Sequence, residues 1–307
     1  MRLVTISVLV PYEVAVPLFA QMPGVTPIVY TPDPAAPLPD GAQDAEIFIP
    51  PLLTGPVWRD VLHSLPKLRM VHTLTAGYES FVGDQVPEGV ILCNARGAHG
   101  GSTAEWALGA LLTIYREFLQ FEDSRRAVSW DYRGTDTLQD KKVLVVGAGD
   151  LGQQMERRLL ACDAVPTLVG RTARDGVRGQ DELPALLPEA DAVVIMVPLS
   201  EETRHLVDAK FLAAMPDGAI LVNAGRGPIV HTDALVAELS TKRLRAALDV
   251  TDPEPLPTGH PLWSVPNLLL TPHVGGSVSG GAERAFRVIA RSIEQLLAGK
   301  KPENQVS

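Results

Sequence analysis

Short apolar runs recur along the 307-residue chain with polar or helix-patterned stretches between them, and they form two series. In the first, Leu3–Val8, Thr26–Tyr30, Glu46–Ile49, Leu68–Leu74 and Val90–Asn94 predict strands. Val61, Leu62 and Leu65 place a helix ahead of the fourth strand, so parallel pairing is expected. The proline-dense stretch 31–40 predicts an extended surface loop. Residues 94–101 read as a hinge. Ser102 and Glu105 suit a capping box, from which Ala107, Leu108, Leu111, Leu112, Tyr115 and Leu119 carry one long helix to about Phe121. The second series comprises Val143–Val146, Thr167–Val169, Ala192–Val197, Ala219–Asn223, Ala246–Val250 and Leu268–Thr271, aliphatic runs that suit strands covered on both faces. Helices are expected at Asp208–Met215 and Thr232–Leu239. A last helix, Ser279–Ala298, ends at Gly299 and packs back on the first domain. The expected class is α/β, with two doubly wound parallel-sheet domains.

The strand Val143–Val146 runs into Gly147-Ala148-Gly149-Asp150-Leu151-Gly152 and then into a helix whose Leu151, Met155 and Leu159 share one face. A G-x-G-x-x-G sequence is informative in that setting, between a strand and a helix. Gly147 permits the tight turn, Gly149 lets a pyrophosphate approach the backbone, and Gly152 lets helix and strand pack closely. The free N–H groups at the helix start would then face the phosphates.

Charge and cysteine content narrow the partners. A net charge of −9 argues against nucleic acid, which needs clustered Lys and Arg. It leaves room for a small acidic substrate held by one arginine in a cleft. Cys93 and Cys162 stand in no metal-ligand spacing and predict ordinary core or near-core thiols. No segment has the length and apolarity of a membrane span, and the N-terminal run reads as a strand, so a cytoplasmic protein is expected.

Three residues at strand ends of the second series carry chemistry: Arg226 in Asn223-Ala224-Gly225-Arg226-Gly227, Glu254 after Asp249-Val250-Thr251-Asp252-Pro253, and His273 in Thr271-Pro272-His273-Val274-Gly275. An imidazole at such an edge exchanges a proton near neutral pH, a neighbouring carboxylate favours its charged form, and a guanidinium binds a carboxylate and polarises a carbonyl. Together they suit hydride transfer between a nicotinamide and a 2-oxo or 2-hydroxy acid. His99 reads as a solvated loop histidine. In the first series the Ala76 and Gly77 amides could form an anion nest, and the loop holding Leu52 and Leu53 follows another strand.

These stretches, with Val197-Pro198-Leu199 and Thr203, Glu254-Pro255-Leu256-Pro257 and His260-Pro261-Leu262-Trp263, resemble the D-isomer-specific 2-hydroxyacid dehydrogenase family over essentially the whole chain. The resemblance implies that Arg226 binds substrate, His273 is the general acid/base and Glu254 holds it. It also implies cofactor contacts from Thr103, Val197, Pro198, Thr203, Ala224, Gly225, Asp249 and Gly275, and substrate carboxylate contacts from the Ala76 and Gly77 amides. A Rossmann cofactor domain, 99–275, would be inserted in a flavodoxin-like substrate domain made of 1–98 and 276–307, and the protein would be a homodimer. Asp150 departs from the Arg or Lys often found there and removes a cation from the pyrophosphate site. Tyr78 and Glu79 depart from the pair expected after the substrate-loop glycine.

Cofactor choice follows from the residues after Thr167-Leu168-Val169. No carboxylate appears until Asp175, whereas Arg171 and Thr172, with Arg174 as a second cation, suit a 2′-phosphate. The expectation is NADP(H) over NAD(H). Leu52 and Leu53 would favour a modest, uncharged substituent on the acid, with glyoxylate and hydroxypyruvate as reference substrates. A formate dehydrogenase would pair the histidine with Gln, so Glu254 counts against it. A dinucleotide-sensing binding protein of the same fold is the other reading. Trp130 reads either as a core residue or as one reaching a neighbouring subunit.

Overall fold

The computed structural model describes residues 5–52 and 56–306, so Leu3, Val4 and Leu53 lie outside it. Its described strands form two parallel sheets, one of five strands and one of seven. Contacts divide the chain into two compact units, Met1–His99 with Ser279–Ser307 and Gly100–Val278, against the expected breaks at 98/99 and 275/276.

The first unit is built on β1 (Ile6–Val10), β2 (Val25–Val29), β3 (Ala45–Phe48), β4 (Met70–His72) and β5 (Ile91–Cys93), in the order β2-β1-β3-β4-β5. That is the flavodoxin-like order, with a reversal between β1 and β3. Helices α1 (Val16–Ala20) and α2 (Arg59–His63) lie between strands. Proline density keeps 31–40 free of helix and strand, as expected. One core packs Val8, Ile47 and Met70 against Phe286, Ile289 and Ile293 of the C-terminal helix; the other gathers Phe48, Trp58, Leu62 and Val71. The tail returns beside β5, where Asn94 N donates to Asn304 O at 3.1 Å and Val306 N to Leu92 O at 2.8 Å.

The second unit opens with α3 (Gly100–Tyr115) and α4 (Phe118–Arg126). The expected single helix is broken by Glu117, whose φ of 51° is left-handed. Its apolar stripe has core to meet as far as Tyr115, whereas Phe118 and Leu119 are exposed. The helix also starts earlier than the expected capping box, so Ser102 lies in the first turn rather than before it. Strands β6 (Lys142–Val146), β7 (Val165–Gly170), β8 (Val177–Gly179), β9 (Ala192–Ile195), β10 (Ile220–Asn223), β11 (Arg245–Leu248) and β12 (Leu268–Leu270) run in the order β12-β11-β10-β9-β6-β7-β8. This is the Rossmann order extended by one strand, reversing between β6 and β9. β8 was not expected, because Val177-Arg178-Gly179 contains a single apolar residue.

Helices α5 (Asp150–Leu160), α6 (Leu183–Leu186), α7 (Ala209–Ala214) and α8 (Thr232–Ser240) cover the second sheet together with α3. Asp208 caps α7 by accepting from Phe211 N at 2.8 Å. α9 (Gly281–Leu297) returns the chain to the first unit, and Gly299, with φ 68°, follows its last turn as a C′ glycine does. Among the described residues no helix is long and apolar enough to cross a membrane.

Candidate active site

The glycine turn after β6 is shaped by what a side chain would strike. Gly147 has φ 126°, and a Cβ there would lie 2.5 Å from the Met196 carbonyl oxygen. A Cβ on Gly152 would run into the Gly147 carbonyl, so α5 can lie this close to β6 only with glycine there. Gly149, the N-cap of α5, faces open space. That opening at a helix N-terminus fits a dinucleotide pyrophosphate held by backbone N–H groups. Leu151 turns inward onto the core beside α3. Asp150, at the first helical position, points its carboxylate at Gly100, where a Cβ would overlap it. Its Oδ2 is buried with no hydrogen-bond partner among the described residues. The charge expected to face the pyrophosphate is thus turned toward the start of α3.

Arg171 and Thr172, just beyond β7, are exposed. Arg174 is exposed as well, and its Nη2 donates to the Ala148 carbonyl at 3.0 Å, which ties the segment after β7 to the glycine turn. The acceptor is a carbonyl that the turn leaves within its reach. After β9, Val197 and Pro198 lead into a turn closed by Thr203, whose Oγ1 donates to Pro198 O and accepts from Ser200 N, both at 2.7 Å. Thr103 is buried in α3. Ala224 and Gly225 are also buried, and a Cβ on Gly225 would lie 2.8 Å from the Val197 carbonyl oxygen.

Arg226, Glu254 and His273 leave the carboxyl ends of the neighbouring strands β10, β11 and β12. Asn223 shapes the first turn, accepting from Gly225 N and donating to Arg226 O, each at 3.0 Å. Arg226 Nη1 donates to Gly225 O at 2.8 Å. Gly227 lies directly on the Thr251–Asp252 backbone, where no Cβ fits, so the turn bearing Arg226 and the loop bearing Glu254 touch. Thr232 Oγ1 adds a hydrogen bond to Asp252 O at 2.9 Å.

His273 Nδ1 lies 2.6 Å from Glu254 Oε1. An ionised carboxylate only accepts, so Nδ1 carries the proton and Nε2 is the nitrogen left to exchange one. His273 adopts φ 56°, uncommon for a residue with a side chain, and its N–H donates to Asp249 O at 2.7 Å. The buried Asp249 carboxylate takes the Thr271 hydroxyl at 2.6 Å, Val274 N at 2.8 Å and Gly275 N at 2.7 Å. It therefore organises the loop that presents His273. The resemblance, which implied a cofactor contact for Asp249, did not give this role. The run of one hydroxyl and two free amides in Thr271-Pro272-His273-Val274-Gly275 was the available signal.

In the first unit, Ala76 and Gly77 follow β4 in a loop pinned by Asn94 Nδ2 to Ala76 O at 2.7 Å and by Thr75 Oγ1 to Gly77 O at 2.6 Å. Among the described residues no acceptor takes the Ala76 or Gly77 N–H. Leu52 is half-buried against the core, and its N–H donates to the Tyr12 hydroxyl at 3.1 Å. His99 is half-buried and its Nε2 meets Leu74 O at 2.8 Å, which corrects its reading as a solvated residue. Trp130 is 96% exposed, so it is no part of this unit's core. Cys93 is buried and free, and burial pushes its thiol up to about 12.

Comparison with known proteins agrees with this geometry. Residues 108–275 match the D-isomer specific 2-hydroxyacid dehydrogenase, NAD binding domain. The glyoxylate/hydroxypyruvate reductase B of Pectobacterium atrosepticum is 32% identical over 82% of this chain and 83% of that protein. The D-3-phosphoglycerate dehydrogenase of Methanocaldococcus jannaschii is 31% identical over 86% of this chain, which spans about half of that longer protein. A D-isomer specific 2-hydroxyacid dehydrogenase from Xanthobacter autotrophicus Py2, solved in complex with NADPH and MES, superposes with a TM-score of 0.84. It is 28% identical, covering 99% of this chain and 98% of that one. With a Rossmann unit inserted in a flavodoxin-like one and a matching cofactor-domain sequence, this chain belongs to the D-isomer specific 2-hydroxyacid dehydrogenase family and is an NAD(P)-dependent enzyme of it.

Proposed function

We propose that the enzyme reduces a small 2-oxo acid to its D-2-hydroxy acid, with glyoxylate and hydroxypyruvate as reference substrates and NADP(H) preferred over NAD(H). The observation that carries the reaction is the 2.6 Å pair of His273 and Glu254, on strand ends beside the one that bears Arg226. A bound nicotinamide dinucleotide supplies the hydride. Its pyrophosphate would lie on the N–H groups at the start of α5, over Gly149. Arg226 would orient the acid by its carboxylate and draw charge onto the carbonyl oxygen. His273, held through Nδ1, would deliver the proton to that oxygen from Nε2 and take it back in oxidation.

The cofactor preference rests on the exposed Arg171 and Thr172 after β7 and on the absence of a carboxylate there before Asp175. The NADPH held by the Xanthobacter relative supports it. Arg174, exposed and bonded to the Ala148 carbonyl, would add a second cation while bracing the glycine turn. The expected homodimer would explain why Val128, Trp130 and Tyr132 are 94%, 96% and 93% exposed, since a second copy of the chain would cover them. Sedimentation of wild type and Trp130→Glu tests this, and an equally monomeric wild type would end it.

The experiment for the reaction is a set of specificity constants for glyoxylate, hydroxypyruvate, oxaloacetate and 2-oxoglutarate with NADPH and NADH. Highest values for one of the first two acids with NADPH are expected. A dicarboxylate as best substrate, or equal use of both cofactors, would remove the corresponding half of the proposal. Tight dinucleotide binding with no turnover of any acid would replace it with a sensor.

A further inference from the structure

An open pocket of about 400 Å³ is lined by Arg171, Gln180, Asp181, Glu202 and Thr203. It draws on segments that follow β7, β8 and β9, and β7 and β9 are the strands flanking β6 where the sheet order reverses. In open α/β sheets that crevice receives the dinucleotide. The pocket's charges are mixed, with one guanidinium facing two carboxylates. Glu202 Oε2 stands 3.8 Å from Arg171 Nη2. The same oxygen accepts the Ser200 hydroxyl at 2.8 Å, and Ser200 is itself fixed by the turn that Thr203 closes. The Ser200 hydroxyl, the local backbone and Arg171 together hold the Glu202 carboxyl below the usual range. The Ser200 bond thus holds one carboxylate oxygen of this exposed residue on the side of Arg171.

We propose that Glu202 is a specificity-determining residue of the dinucleotide site. Its carboxylate stands beside Arg171 and repels a 2′-phosphate, so the preference for a 2′-phosphorylated dinucleotide stays below what Arg171 alone would give. A 2′-phosphate is close to a dianion near neutral pH and must displace or share this carboxylate. An unphosphorylated ribose presents only hydroxyls, which a carboxylate accepts without penalty. The proposal rests on reading Arg171 as the 2′-phosphate ligand.

The test is calorimetric binding of NADP⁺ and NAD⁺ to wild type, Glu202→Gln, Arg171→Ala and the double variant, each at about 0.1 M and about 1 M salt. Gln retains an oxygen for Ser200, so the turn is preserved. Glu202→Gln is expected to tighten NADP⁺ by about 3- to 10-fold and to leave NAD⁺ within about 2-fold. The gain should be smaller in the Arg171→Ala background. It should also shrink at high salt, where the screening length falls from about 10 Å to about 3 Å. An unchanged or weaker NADP⁺ affinity, an equal shift for both dinucleotides, or a gain indifferent to salt overturns the proposal even if Arg171→Ala weakens NADP⁺. If Arg171→Ala leaves NADP⁺ binding unchanged, the reading of Arg171 falls and takes the proposal with it.

Discussion

His273 sits in a left-handed backbone conformation and is bonded through its ring to Glu254, so its position is set twice, by the chain and by the side chain. A clean test of the proton-transfer role must leave the first constraint alone. Asn is the substitution to use, because it tolerates φ near +60° and has no proton to exchange near neutrality. His273→Asn should lower kcat by about 10²- to 10⁴-fold while the dissociation constant for dinucleotide moves by less than about 2-fold. Stopped-flow turnover beside calorimetric binding reads the two separately, and near-wild-type kcat would dismiss the assignment. Glu254→Gln keeps the shape but turns an anionic acceptor into a neutral one. A loss of about 10²-fold in kcat with little change in the thermal midpoint is expected. A large fall in that midpoint without loss of kcat would make Glu254 a structural residue instead.

The glycine turn between β6 and α5 separates two demands placed on glycine. A Cβ at Gly152 meets the backbone of Gly147, whereas a Cβ at Gly149 meets nothing. Gly152→Ala should therefore destabilise the fold by roughly 3 kcal/mol or more, because backbone cannot move aside as a side chain can. Gly149→Ala should cost less than about 1 kcal/mol yet raise the dinucleotide dissociation constant by about 10-fold or more, because its methyl group fills space needed by the pyrophosphate. Urea midpoints and binding constants for both variants check this, and equal loss of stability would break the distinction. The same stretch shows why so much was legible from the order of residues alone. Strand, G-x-G-x-x-G and amphipathic helix are each periodic or local signals, as are the aliphatic runs that became β9 to β12. What stayed hidden depends on contacts between distant residues. The Glu117 break follows from where the core ends, and the bond from Arg174 to Ala148 O depends on a carbonyl of another loop. Asp249 was expected as a cofactor contact through the family resemblance, while its three bonds to Thr271, Val274 and Gly275 exist only once β11 and β12 lie side by side.

Across the whole molecule, the first unit is closed by residues far apart in sequence, and one of its ties responds to pH. His72 on β4 is fully buried, its Nε2 lies 3.1 Å from Ser292 Oγ on α9, and burial pulls its imidazole from 6.5 down to about 4. Since the folded value is depressed, its contribution is intact above about pH 6.5, where both states are neutral. It is lost as pH falls toward 4, because the unfolded chain takes up the proton first. The loss approaches about 3 kcal/mol by pH 4. His72→Leu should remove that share of the pH dependence in urea unfolding between pH 7 and pH 4. Ser292 would remain bonded to Val288 O, and an unchanged slope would show that other groups set it. The separation of β1–β5 from α9 also has a consequence in time. As the chain leaves the ribosome, Val8, Ile47 and Met70 emerge early, but the helix that covers them follows only after the whole of Gly100–Val278 has been made. At about 5–20 residues per second that delay is on the order of ten seconds. The contiguous cofactor unit can finish folding within it, so the half of the protein synthesised first is the half completed last, and its uncovered sheet is the surface for which a chaperone would be needed.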